Sequence, residues 1–412
     1  MLKPLLTYYT GVIPGAAKTS SGRRARTAPR PRRATLRRLG AAALAALLSG
    51  PAPAADAQEL AFPGGVIWQV RLEPPPAQLP AFDTGSAYVL LPDGHVRAID
   101  HATGETRWTS PASSTVRPAS SGRHLVGADG AAAWAIDAAS GRDVWRHDLG
   151  AVVSAAPALT AAGAVFVTGG GTLVLLAWAD GRELWRAPMP AQVSAPVAVG
   201  ADRVWAGLAD GRVLAIGLAD GATAWTRTLG ARILGMTLIG DRLFTGSADN
   251  FLYALKSSDG GIAWRWRTGG DVAGHAVSDG RRVYFTSLDA MLRAHDRRHG
   301  DMRWQRPLAS RAVDGPALAG AHVIVAGVSP ELRAFRTSDG GMEAFAPLPG
   351  RPLHAPFIAP ESAAAPVRLV LLTAGGHLMA IGQTVEPMLV PLDVLPGRKL
   401  PPEVLPDIIR KD

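Results

Sequence analysis

Not one of the 412 residues is a cysteine. That excludes disulfides, thiolate metal sites, cysteine nucleophiles and the cysteine-borne lipid anchor of bacterial lipoproteins, so the fold must hold without covalent staples. Acidic residues are almost missing from one end: before residue 59 there is one acid, Asp56, of the 34 in the chain, against ten of the 43 lysines and arginines. The formal charge of +9 therefore belongs to the leader, and the remainder is balanced. It has no run of interleaved basic and aromatic residues to track a phosphate backbone, so nucleic acid is not an expected partner. Long hydrophobic runs are also absent; none reaches the roughly 18 residues that span a bilayer. There is no G-x-S-x-G nucleophile elbow, and the triplet Gly169 to Gly171 lacks the Lys-Ser/Thr of a phosphate loop.

What is present begins with an export-like leader. Positive charge from Arg30 to Arg38 precedes the apolar stretch LGAAALAALLSG (Leu39 to Gly50) and a small-residue segment with A-x-A at Ala55 to Ala57. This order reads as a cleaved signal peptide, with cleavage expected after Ala57 and no transmembrane anchor afterwards. Residues 1–29 are an N-terminal extension to it, and RRATLRR (Arg32 to Arg38) loosely resembles a twin-arginine signal, with Thr35 in place of the usual aromatic. Residues 1–57 are thus assigned to export, and the protein is expected in the periplasm.

The body repeats. Glycine is followed four residues later by tryptophan at Trp68, Trp108, Trp145, Trp185, Trp225, Trp264 and Trp304, and an eighth copy is read as Gly341 with Phe345. The aromatic positions are spaced 40, 37, 40, 40, 39, 40 and 41 residues apart. Within each period, short runs rich in β-branched, aromatic and Leu residues alternate with Asp-Gly, Asn and Ser turns, as in DGRVLAIGLADGATAW (Asp210 to Trp225). Four strands per period of this length predict an all-β, eight-bladed β-propeller of four-stranded antiparallel blades over residues 58–382. The last blade, from His354 to Gly382, lacks its aromatic strand; GGVIWQVRL (Gly64 to Leu72) is expected to supply it and close the ring. Residues 383–412, with six prolines among Val, Leu and Ile, are read as an extended tail that packs on the propeller or is bound by a partner.

The order Asp-Gly, x-Leu-x-Ala-Leu/Ile-Asp, Thr/Ser/Asp-Gly, Trp resembles the pyrroloquinoline-quinone (PQQ)-like repeat family over roughly residues 62–382. The resemblance implies that the eight aromatics dock between neighbouring blades. It leaves two roles open. One is the non-enzymatic BamB type, which scaffolds outer-membrane protein assembly through protein partners; the stretch Ser194 to Trp225 resembles one of its blades almost throughout. The other is a quinoprotein oxidoreductase with PQQ and calcium, typically longer and with Glu, Asn and Asp ligands. The compact repeats favour the scaffold, with no cofactor, no catalytic residue and no metal site assigned; PQQ and calcium belong only to the alternative.

Outside the repeat's own grammar, the segments entering the inner strands carry Arg117, Arg232, Asp271, His275, Arg311, Asp314 and His354. Their shared place in the period puts them near one mouth of the central channel, where a partner or ligand is expected. Asp83, Asp271 and Asp314 are the few acids on inner segments and are read as accepting loop backbone donors. His295 and His299 of HDRRH are read as exposed turn histidines, because a spacing of four does not converge on a strand. Trp264 and Trp266 should share a face, with Arg265 on the other.

Overall fold

The computed structural model describes residues 65–76, 78–359 and 367–383. The expected export segment, residues 360–366 and all of the expected tail but residue 383 lie outside the described residues.

Eight four-stranded antiparallel sheets make up the fold, with no helix among the described residues. Their innermost strands, Ala81–Phe82, Ala119–Ser120, Ala158–Leu159, Ala198–Val199, Ile233–Ile239, Val277–Ser278, Ala317–Ala319 and Phe357–Ala359, open blades 1 to 8. Blades 1 to 7 run in chain order from the innermost to the outermost strand. Blade 8 is the exception: Phe357–Ala359, Arg368–Leu372 and His377–Gly382 are completed by Gly65–Arg71, with Gly65 opposite Gly382 and Arg71 opposite His377. The N-terminal strand thus closes the ring, as the truncated final repeat requires.

The two middle strands of each blade are buried on both faces, because each sheet is sandwiched between two others. Gly163–Val167 is buried throughout, as is Thr172–Ala177 beyond its first residue. This explains why such runs (GAVFV, TLVLLA) show no polar alternation in the sequence. Val165 and Leu175 of blade 3 pack with Val204, Leu214 and Ile216 of blade 4 in one cluster, and similar clusters fill the other gaps. Outermost strands alternate instead; in Asp143–Asp148 the tryptophan is buried among exposed neighbours.

Seven tryptophans bind the blades to one another. The indole Nε1 of each donates to a backbone carbonyl in the turn between the third and fourth strands of the next blade. Trp68 reaches His101 O at 2.8 Å, Trp108 reaches Ala138 O at 3.1 Å, Trp145 reaches Trp178 O at 3.0 Å and Trp185 reaches Leu218 O at 2.9 Å. Trp225, Trp264 and Trp304 reach Ser257, Arg297 and Thr337 O at 3.1, 3.1 and 3.0 Å. The glycine in that turn is demanded twice. Gly260, for instance, has φ +69°, and a Cβ there would stand 2.7 Å from the Trp225 ring. The repeat glycine therefore receives the indole of the preceding blade rather than the tryptophan four residues after it.

Phe345 does not take the eighth such position. In the other blades the tryptophan is the partner of a third-strand residue just before a bulge, as Ala294 faces Trp304; in blade 7 that partner, Ala334, faces Ala344. The left-handed glycine is Gly340, with φ +72°, so the true pair is Gly340 and Ala344, and the spacing from Trp304 becomes 40 residues. Phe345 points the other way and is 57% exposed. The reason lies at the seam. An indole at position 344 would dock on a turn joining the third and fourth strands of blade 8, and those strands, His377–Gly382 and Gly65–Arg71, are not joined in the chain.

Candidate channel-mouth site

In each blade, alternating strand directions bring two connections to the same side: the turn between the second and third strands, and the entry into the innermost strand. Backbone bonds between the two fix an equivalent position in consecutive blades. Gly169, Ala209, Ala248, Leu288, Val328 and Ala374 donate their N–H to the carbonyls of Val152, Gln192, Arg232, Asp271, Arg311 and Arg351, at 2.7 to 2.9 Å. Arg232, Asp271 and Arg311 thus share a rim position in blades 5, 6 and 7, and the structure adds Arg351 of blade 8. Arg232, Arg311 and Arg351 are exposed and Asp271 is half-buried. Arg351 could have been found from the parallel between RAVDGP and RPLHAP at equal offsets in their blades.

Deeper in the mouth, Arg117, His275, Asp314 and His354 are brought together from blades 2, 6, 7 and 8. His275 Nδ1 lies 3.1 Å from Asp314 Oδ1, which also accepts the Gly315 N–H at 2.7 Å. Two glycines allow this. A Cβ on Gly315 would stand 2.2 Å from the His275 carbonyl oxygen, and one on Gly274 would stand 2.6 Å from the Gly315 nitrogen. Burial alone would depress the His275 imidazole, but the Asp314 charge and hydrogen bond outweigh it and hold the ring above its ordinary value. Burial likewise opposes ionisation of Asp314; the His275 charge and hydrogen bond win, and the carboxyl sits below its ordinary range. Each group thus favours the charged form of the other.

Arg117 is 2% exposed, and its guanidinium donates twice to Pro80 O, at 2.9 and 2.6 Å, bridging blades 2 and 1. Its charge acts on Asp314, His275 and His354. His354 donates from Nδ1 to Ala355 O at 2.6 Å and accepts the Leu372 N–H on Nε2 at 3.1 Å. That pattern requires a neutral ring, and burial, with Arg117 adding to it, pushes its pKa down to about 4.

Chemically, the mouth is a basic half-ring over the hydrogen-bonded His275 and Asp314. Asp314 is committed to His275 and Gly315, which leaves Asp271 as the mouth's uncommitted carboxylate, whereas calcium takes six to eight oxygen ligands. Among the described residues no group of three or more His, Asp or Glu converges as a metal site. Asp83 caps its own turn, accepting Gly85 and Ser86 N–H at 2.9 Å each, and also accepts from Tyr88 and Ser120.

The HDRRH histidines divide. His299 is exposed and rests on Asp296 at 3.1 Å. His295 is not a turn residue but is fully buried, because it lies within the third strand Met291–Asp296, under the preceding blade. It stacks on Trp264 at 6.1 Å, meets the Trp266 edge at 4.6 Å, and lies 2.9 Å from Gly300 O through Nδ1. The two tryptophans thus share a face, and Arg265 lies over the Phe251 ring instead.

The sequence matches a family model, PQQ_2, described as outer membrane protein assembly factor BamB, over residues 57–133, 128–236 and 209–384. The chain belongs to the BamB family. Among solved structures, BamB from Moraxella catarrhalis is similar to this BamB-family chain at 18% identity and a TM-score of 0.65, over 78% of this chain and 100% of that one. The computationally designed protein Ika8 is similar at 14% identity and a TM-score of 0.66, over 77% and 100%. A quinohemoprotein alcohol dehydrogenase from Comamonas testosteroni is similar at 13% identity and a TM-score of 0.63, over 77% of this chain and 76% of that one. At such identities these likenesses concern the propeller alone. No curated protein sequence matches the BamB-family chain.

Proposed function

We propose that this BamB-family chain is an exported, non-catalytic propeller that holds protein partners in the cell envelope during outer-membrane protein assembly. The observation that carries this reading is the family match, which runs from residue 57 to 384 and so takes in all eight blades. The leader, with basic, apolar and A-x-A segments in the order of a signal peptide, supports a periplasmic location. The connections support it as well: none between the strands exceeds nine residues, so the surfaces offered to a partner are the blade loops themselves and not an inserted domain. On this reading neither PQQ nor calcium is required.

The test is cross-linking of tagged protein in the envelope of its native cells, followed by identification of what co-purifies. Barrel-assembly components are the expected result. Stoichiometric uptake of PQQ with calcium, accompanied by dye-linked alcohol oxidation, would overturn the reading in favour of a quinoprotein oxidoreductase.

A further inference from the structure

The charges of the channel mouth are unevenly committed. Around blades 5 to 8 its acids are largely engaged: Asp289 with Arg293 and the Gly269 N–H, Glu331 with Arg333 at 2.8 Å, Asp249 with Tyr253, and Asp314 with His275. The rim arginines are not. The side chains of Arg232, Arg311 and Arg351 have no hydrogen bond or ion pair among the described residues, and all three are exposed.

Apolar side chains stand beside them. Val328, whose N–H bonds the Arg311 carbonyl, is 46% exposed, and Leu288, at the same place in blade 6, is 37% exposed. The corresponding rim residues of blades 3 and 4, Val152 and Gln192, carry no charge. Blades 7 and 8 therefore present two uncommitted guanidinium groups at equivalent positions of neighbouring blades, with Val328 next to the first. Arginine forks suit carboxylates, and an exposed valine suits an apolar side chain between them. Two or three cations are too few for a nucleic-acid backbone, for which contacts number roughly six to ten.

We propose that the rim of blades 7 and 8 binds an acidic peptide segment of a partner protein, its carboxylates on Arg311 and Arg351 and an apolar side chain against Val328. This rests on the scaffold reading and names the chemistry of the partner.

The experiment measures fluorescence anisotropy of a labelled peptide of about ten alternating Asp and Leu residues, titrated with the full chain. A Lys/Leu peptide of the same length serves as comparison. The acidic peptide should bind and weaken with added salt, and the basic one should not bind. Arg311→Glu with Arg351→Glu should weaken binding about tenfold or more. Arg298→Glu, an exposed arginine in a turn on the opposite side of the ring, should leave it unchanged. Should the charge reversals fail to fold, Arg311→Gln with Arg351→Gln takes their place. No binding by the wild type, or equal losses from the rim and Arg298 variants, overturns the proposal. Envelope cross-linking repeated with the rim variant separates the two claims. If the same partners still co-purify, the rim site fails and the scaffold stands; if the peptide effect holds while no envelope protein co-purifies, the scaffold fails and the site stands.

Discussion

Acid should weaken this propeller through two particular imidazoles. His354 is neutral by its hydrogen bonds, and His101, 1% exposed, lies against Phe82 and Phe357 with ring centroids 6.2 and 5.4 Å away. Burial pushes both pKa values down to about 4, from an unfolded value near 6.5. A depressed folded pKa means that the unfolded chain binds the extra proton. Stability is thus full above about pH 6.5, falls as the pH drops toward 4, and falls no further below. Between about pH 7 and pH 5 each ring costs about 2 kcal/mol, and the two together cost about 4, a large part of the roughly 5 to 15 kcal/mol of a typical domain. His275 acts in the opposite sense. Its folded value is raised, so its contribution is present at low pH and is lost as the pH rises, offsetting part of the fall. Urea unfolding followed by tryptophan fluorescence at the two pH values reads the difference. His354→Gln and His101→Gln are each compared with themselves across pH, so a general loss of stability in the variant cancels. Each should flatten the difference by about 2 kcal/mol. A His354→Gln protein with the wild-type pH dependence would refute the reasoning.

Other substitutions probe the ring and the mouth by thermal or urea unfolding. Gly260→Ala places a methyl group 2.7 Å from the Trp225 indole at φ +69° and should cost about 2 to 4 kcal/mol. Gly280→Ala, at φ +90° with nothing within 4 Å, should cost about 1 to 2 kcal/mol; equal losses would deny the contact its role. Trp304→Ala should cost about 3 to 5 kcal/mol, and Trp304→Phe less, since it loses the bond to Thr337 O but keeps much of the packing. Asp314→Asn removes the partner of His275. Because Asp314 is lowered and His275 raised, the loss should be greatest between about pH 4 and pH 6.5, and a uniform loss across pH would count against the ion pair.

The ring was legible because its signals are local and repeat: turn glycines, apolar runs and a tryptophan at a fixed offset. The misreading at Phe345 shows which signal governs. In DGGMEAF two glycines adjoin, and following the aromatic selects Gly341; following the left-handed glycine, as in DGGIAW where Gly260 comes four before Trp264, selects Gly340 and Ala344. Ring sense and backbone φ set the register, and the aromatic follows only where a turn exists to receive it. At the mouth, loop position names Arg117, His275, Asp314 and His354 as candidates. It could not show that Arg117 would reach Pro80, or that glycines 274 and 315 would let His275 meet Asp314, because those contacts depend on how neighbouring blades converge. His295 escapes the sequence for a similar reason: its place near a strand end looks like a turn until the preceding blade covers it.

The seam also sets a timetable. Blades 1 to 7 are built from strands adjacent in the chain, so each can form as soon as its own stretch is available. Gly65–Arg71 is made before all of them, yet its partner, His377–Gly382, is the last strand of the ring. A chain emerging from a ribosome or a translocation pore therefore carries this strand without its partner, with an open edge, until almost the whole propeller has passed. Closing the ring is then a single long-range pairing, and a product truncated before residue 377 lacks the strand that Gly65–Arg71 pairs with, however well its other blades form.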